Sequence, residues 1–266
     1  MRNLRLTFGV LTAVAVLILG VIVTWSIADA AREAAERLTR RTLQERALRV
    51  ENRLMQRLLA CEALLHAGAG FIQSSWPLTA EQWRVFSNSI QRSRIYPGLQ
   101  GVGFAGVLDR LTTQQVAAIQ NELQRTPSDR VADERTAILY LEPRDRRNER
   151  AIGFDMMSET VRREAMSRAR DRGEAALSAR VTLVQEIDSH VQPGFLMYLP
   201  IYREAATPTT VEQRRAALLG FVYSPFRAAD FLNAVLPSNL DVDVHVYDGP
   251  RVDASSALYV HGEHAH

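Results

Sequence analysis

The sequence predicts an α+β fold: an antiparallel sheet with helices on one face, preceded by a long helix. Three observations predict it. From Ala30 to about Ile72, apolar residues recur at helical spacing along an otherwise charged chain. Beyond that, apolar runs of strand character are joined by short loops, which favours antiparallel neighbours. Helical segments are inserted among the early runs, the pattern of an α+β chain.

The elements follow in order. Leu6 to Ala28 carries no charge, and about 20 apolar residues cross a bilayer as a helix. Arg2 and Arg5 precede this stretch, which places the N-terminus in the cytoplasm and the remainder in the periplasm. Trp25 falls at the far interface. One transmembrane helix in the inner membrane is therefore expected. The rival reading is a cleaved signal peptide ending at Ala28-Asp29-Ala30, although its apolar core is usually only about 7–15 residues. Leu43, Ala47, Val50, Leu54, Leu58, Cys61 and Leu65 then form one stripe of a long stalk helix. Such a helix needs partners for its stripe. The domain's own sheet is expected to take the far half, and the same helix of a second chain the membrane-near half, giving a homodimer. Cys61 reads as an inert core thiol.

Thr79, with Gln82 three residues on, signals a capping box and a helix start. Residues 101–108 read as a strand, 112–125 as an amphipathic helix, and 137–143 as a strand ended by Pro143. A helix over 158–172 is stopped by Gly173. Strand-like runs follow at 175–185, 194–202 and 216–226, then a short helix at 227–236 and a last strand at 241–249. The expected organisation is 1–29, cytoplasmic N-terminus and transmembrane helix; 30–74, stalk; 75–240, distal subdomain; and 241–266, the start of a proximal subdomain. "LYVHGEHAH" brings neither a second span nor a catalytic module, so the chain is expected to be a fragment.

Composition removes several functions. Net charge is +2 with no long basic block, which gives no footprint for nucleic acid. All 32 basic residues are arginine, so there is neither a lysine nucleophile nor a P-loop lysine. The single cysteine excludes an internal disulfide and a multi-cysteine metal site. "GLQGVG" (98–103) enters a strand rather than opening a helix, the wrong context for a dinucleotide. "HGEHAH" (261–266) has metal-like spacing but lacks supporting groups as a tail. "EPRDRRNER" (142–150) reads as a solvated loop, with an anion-attracting rim as the alternative. An enzyme would need a nucleophile–base pair, paired carboxylates or a metal cluster, and none is visible. No cofactor and no metal are expected.

Five stretches in register resemble the CHASE domain: "YPGLQGVGFAGVL" (96–108), "GFDMMS" (153–158), "RARDRGEAALSARVTLV" (168–184), "GFLMYLPIY" (194–202) and "HVYDG" (245–249). The resemblance covers about residues 45–250. It implies an extracytoplasmic sensor with a stalk helix, a distal PAS-like subdomain that binds a small-molecule ligand, and a proximal subdomain. A second membrane helix and an output module, commonly a histidine kinase or a diguanylate cyclase, are also implied. Plant cytokinin receptors are familiar members. Their adenine-holding aspartate corresponds here to Arg162, and two pocket threonines correspond to Ser178 and Tyr198. An arginine only donates hydrogen bonds, and Tyr198 takes space a purine needs, so the resemblance implies a ligand other than a cytokinin.

Arg162 can be placed without the family. Val161, Ala165, Met166 and Ala169 form one apolar arc of its helix, and Arg162 falls inside it. A guanidinium there needs an acceptor. Either an anionic ligand's carboxylate or phosphate supplies it, or an internal pair with Asp155, Glu142 or Asp145 does. Tyr140, Phe154, Met156, Tyr198, Phe221 and Tyr223 supply large side chains near the same helix; lining a pocket is one reading, with Tyr140, Met156, Tyr198 and Phe221 as the ligand-lining candidates, and core filling is the alternative. Ser178 could donate to a ligand or satisfy a neighbouring backbone group. Val184, which closes the matching stretch 168–184, completes the set.

Overall fold

The computed structural model describes residues 2–91, 98–123, 134–187, 191–203, 208–236 and 243–261, with backbone alone at 2–16, 91, 122 and 261. Two compact units result, Met1–Asn52 and Arg53–His266. Helix α1 (Arg2–Ser75) begins in the first unit and ends in the second. It is followed by α2 (Ala80–Gln91), β1 (Val102–Val107), α3 (Thr113–Ala118), α4 (Gln120–Leu123) and β2 (Thr136–Glu142). Then come α5 (Thr160–Arg172), β3 (Ala176–Leu177), β4 (Gly194–Tyr202), α6 (Val211–Ala217), β5 (Leu218–Arg227), α7 (Ala228–Val235), β6 (Val244–Tyr247) and β7 (Ala257–His261).

The expectation of one transmembrane helix over Leu6–Ala28 is not supported. Among the described residues no helix is long and apolar enough to cross a membrane. Side chains are described only from 17 onward, and that remainder reaches Asp29, Arg32 and Glu33 well short of the roughly 20 apolar residues a span needs. The earlier half of the stretch lies outside the described side chains.

The α+β class and the antiparallel sheet agree with the sequence. Five strands are ordered β2-β1-β5-β4-β3, every neighbouring pair antiparallel. The strands β6 and β7 form a separate hairpin. Helices cover both faces of the five-stranded sheet, not one. The α1 backbone at Gly68 comes close enough that an added Cβ would lie 3.2 Å from Val222 and 3.5 Å from the Trp83 ring. Side chains alternate along a strand, so Val222 faces α1 while its neighbours Phe221 and Tyr223 face α5. Phe104 pairs with Val222 and Tyr140 with Phe104, so both lie on the α1 side.

The apolar stripe of α1 divides along its length. Cys61, Leu65 and Ile72 are buried in the core, whereas Val50, Leu54 and Leu58 are half-buried and Leu43 and Ala47 are exposed. Burial also pushes the Cys61 thiol up to about 11, so it stays a protonated, unreactive thiol at neutral pH. The Thr79–Gln82 capping box forms as expected: Gln82 N–H donates to Thr79 Oγ1 (3.3 Å) and Thr79 N–H to Gln82 Oε1 (2.9 Å).

In the run 142–150, Arg144, Asp145, Arg146, Glu149 and Arg150 are exposed, as in a solvated loop. Glu142 and Asn148 are buried. Asp145 Oδ1 accepts from the Arg147 and Asn148 N–H groups, folding the run into a turn that continues as a short 3-10 helix, Asn148–Ala151.

The C-terminus of α5 is heavily tied. Gly173 takes φ +75°, and its N–H bonds to Ala169 O. The Tyr202 hydroxyl donates to Arg170 O and Arg214 to Asp171 O, satisfying two further end carbonyls. Asp171 accepts both fork nitrogens of Arg215 (3.0 and 2.7 Å) and Arg170 Nε. The Arg215 bond, followed by that of Arg170, holds the Asp171 carboxyl well below the ordinary carboxylate range. A group depressed in the folded state contributes stability that is complete above its unfolded pKa and lost as pH falls toward its folded one. Asp171→Asn is therefore expected to flatten the acid side of a melting-temperature–pH curve and leave its slope above neutrality unchanged. An unchanged acid limb would show that the cluster contributes no pH-dependent stability.

Candidate functional site

The site lies between α5 and the α5-facing side of the sheet. A 3-10 turn at Met156–Ser158 leads into α5, and Asp155 caps that turn by accepting from Met157 N–H (3.0 Å). The same oxygen, Asp155 Oδ1, accepts from the Thr136 N–H and hydroxyl, fastening the turn to β2. The second Asp155 oxygen is buried and has no hydrogen-bond partner among the described residues. Asp155 thus bonds to Thr136 and Met157, and the carboxylate that meets Arg162 is that of Glu159.

Arg162 is 3% exposed. Its Nη2 donates to Thr182 O (2.8 Å), its Nη1 meets the Glu159 carboxylate one turn back, and its guanidinium carbon lies 5.5 Å from the centre of the Phe154 ring. Glu142 and Asp145, the other acids expected from the sequence, accept from the Arg144 and from the Arg147 and Asn148 backbones instead. The actual partner, Glu159, was legible in the i,i+3 spacing of a helix surface. Burial lowers the Arg162 pKa, and the facing Tyr198 and Tyr223 partly offset this. A guanidinium nevertheless remains a cation in such surroundings.

Tyr198 and Tyr223 are cross-strand partners on β4 and β5, both fully buried. Among the described residues the Tyr198 hydroxyl has only a sulfur for an acceptor, Met156 Sδ at 3.6 Å. The Tyr223 hydroxyl has no hydrogen-bond partner among the described residues. Burial raises the pKa of both phenols, and the Arg162 charge pulls both back down. Phe221 packs edge-on against Tyr198, ring centres 6.3 Å apart, and Met156 closes the same wall. Arg162 and the two phenols thus share the face between α5 and the sheet, and neither hydroxyl has an oxygen acceptor among the described residues.

Arg162, Met156, Tyr198 and Phe221 are brought together; the other candidates are placed elsewhere. The Ser178 hydroxyl is spent on backbone, accepting from Leu196 N–H (3.0 Å) and donating to Ala179 O (2.8 Å). Val184 is half-buried in the turn two residues beyond Thr182, whose carbonyl holds Arg162. Tyr140 lies on the opposite face of the sheet. It borders a cleft of about 300 Å³ with Leu78, Gln115, Ile119, Leu139 and Ile152. The polar groups there are already satisfied: Tyr140 and Gln115 both donate to Leu78 O, and Gln115 Oε1 accepts from Thr112. Tyr223, whose unpartnered hydroxyl is the most telling feature of the site, was noted in the sequence only as a large side chain near the helix. Strand pairing with Tyr198 was needed to bring it to Arg162. The tail 262–266, which carries most of "HGEHAH", lies outside the described residues.

No curated protein matches the chain. Residues 78–259 match the family model of the CHASE domain, from just after α1 through the β6–β7 hairpin. The CHASE domain is an extracellular sensor domain of signalling receptors. With its sheet, α5 and the Arg162 site all inside the matched region, the chain belongs to the CHASE-domain family.

Proposed function

We propose that the chain is the ligand-sensing part of a bacterial signalling receptor, facing the periplasm, whose output module is a histidine kinase. A diguanylate cyclase is the second reading of the output. The observation that carries the sensor reading is strand β5. It turns Val222 toward α1, and Phe221 and Tyr223 toward the Arg162 site. A ligand that moved Tyr223 would act on the strand against which α1 packs. Signalling of this kind requires only that the ligand bind two arrangements of that contact unequally.

The test is melting of the full chain against a library of purines, amino acids and small organic anions. A ligand specific for the folded form raises the melting temperature with concentration. A saturable rise with any member supports the sensor reading; no rise with any of them favours an assembly module that uses α1 without a ligand.

The receptor is further proposed to be a homodimer through α1. Leu38, Leu43, Leu48, Met55 and Leu59 are exposed apolar side chains on that helix. With Cys61 buried, Leu43→Cys introduces a single reactive thiol. Mild oxidation is expected to give a disulfide-linked dimer at Leu43 and none in the parent chain. A monomer under both conditions counts against pairing at this level of the stalk.

A further inference from the structure

The pairing of Arg162 inside the domain raises a question about the ligand reading, because the guanidinium already has a carboxylate. The two partners are unequally placed. The Arg162 side chain is 4% exposed and the Glu159 side chain 39%. Glu159 stands at the N-cap of α5 with extended backbone (φ −97°, ψ 132°), yet its side chain caps no N–H. It therefore reaches from the solvent edge of the helix down to a buried cation, and rotation about its own side-chain bonds would return it to water.

The two phenol hydroxyls of the same site lack an oxygen acceptor among the described residues. The Tyr223 hydroxyl is fully buried and has no partner among the described residues, and the Tyr198 hydroxyl faces a thioether. A buried donor without an acceptor is expensive. The N-terminal end of α5 has no acidic residue in its first turn and no side-chain cap, which adds a partial positive charge at the same end. One guanidinium and two phenols match one planar monoanion. A tetrahedral dianion would bring a second charge into a site that holds only one cation.

We infer that Glu159 is an exchangeable placeholder, and that the ligand is a small monocarboxylate that displaces it from Arg162 and accepts from the Tyr198 and Tyr223 hydroxyls. The inference rests on the sensor reading above and names the ligand class of that same site. Its consequence is a pattern that a purely structural ion pair does not produce. Neutralising Glu159 removes the internal competitor, so the fraction of molecules with a free Arg162 rises and the apparent affinity rises with it.

The experiment is calorimetric titration and melting of the full chain with acetate, propionate, lactate and benzoate at constant ionic strength, with sulfate and inorganic phosphate as comparison anions. At least one carboxylate is expected to bind saturably. Glu159→Gln is expected to melt earlier without ligand but to bind that carboxylate about tenfold more tightly. Tyr223→Phe, which keeps the ring, is expected to bind it about tenfold more weakly. Arg162→Lys, which loses the planar fork, is expected to weaken it further. The inference is overturned if neither the parent chain nor Glu159→Gln binds any carboxylate, or if sulfate or phosphate binds better than all four. It is equally overturned if Glu159→Gln melts earlier without any gain in affinity, which makes the pair a strut. A library response to some other compound alongside these results keeps the sensor reading and discards the carboxylate. No response to any compound discards both.

Discussion

Trp83→Ala is expected to destabilise the Arg53–His266 unit by about 3–5 kcal/mol, the range for emptying a buried aromatic site. For a unit of this size that corresponds to a fall of roughly 6–20 °C in melting temperature. Trp83 is fully buried. Its ring packs 5.3 Å from Phe86 and 6.4 Å from Tyr140, and it lies under the α1 backbone at Gly68. Its indole N–H donates to Val102 O (3.3 Å), at the start of the interior strand β1. The side chain thus joins α2, α1 and two strands at one point. Trp83→Phe keeps most of the packing but leaves Val102 O without that donor, and is expected to cost only about 1–2 kcal/mol. Urea unfolding of the three proteins checks both values. A Trp83→Ala protein within about 1 kcal/mol of the parent would show that the α1–sheet junction tolerates rearrangement.

What the sequence disclosed followed from how local its signals are. Helix caps need three or four consecutive residues, so the Thr79–Gln82 box and the Gly173 stop were readable directly. Strand β4 was readable too, because Gly194 and Tyr202 bound a continuous apolar run. The Thr210–Gln213 box that opens α6 carries the same signal, but it lies in the connection between the runs 194–202 and 216–226 that the sequence reads as loop, and only the last two residues of α6 overlap the second run. Residues 175–185 have strand composition, yet pairing stops at Leu177, and Ser178 then bonds through its own hydroxyl. Only an isolated bridge, Val181 to Gly194, resumes it. Side-chain polarity competing with the ladder cannot be seen in an apolar count. Facing was less legible still. Tyr140 was grouped with Tyr198 and Phe221, but the face it presents depends on its pairing with β1, and that pairing is irregular between Phe104 and Ala105.

That same dependence on pairing makes Gly103→Ala the most direct way to disturb the site without touching a residue in it. Gly103 stands opposite Tyr223 on β5. A Cβ there would lie 2.5 and 2.6 Å from the Tyr223 ring and 2.7 Å from Tyr140 O. Both neighbours are fixed: the Tyr223 ring is buried among Tyr198 and its strand neighbours, and Tyr140 O belongs to the paired strand β2. One methyl group must therefore tilt the Tyr223 ring or spread the strands. Overpacking of this kind costs about 1–3 kcal/mol. The stability loss alone would not distinguish the site from any other crowded part of the sheet. The position of the hydroxyl does, since a push on Cε1 and on Cζ, the carbon that carries the hydroxyl, displaces the phenol oxygen. Gly103→Ala is thus expected to weaken carboxylate binding as much as Tyr223→Phe, which removes the oxygen outright, while leaving Arg162 and Glu159 in place. Combining the two changes should then weaken binding hardly more than either alone, because both remove one donor. If the effects multiply instead, Gly103 acts through the sheet as a whole, and Tyr223 is not the route by which the backbone of β1 shapes the site.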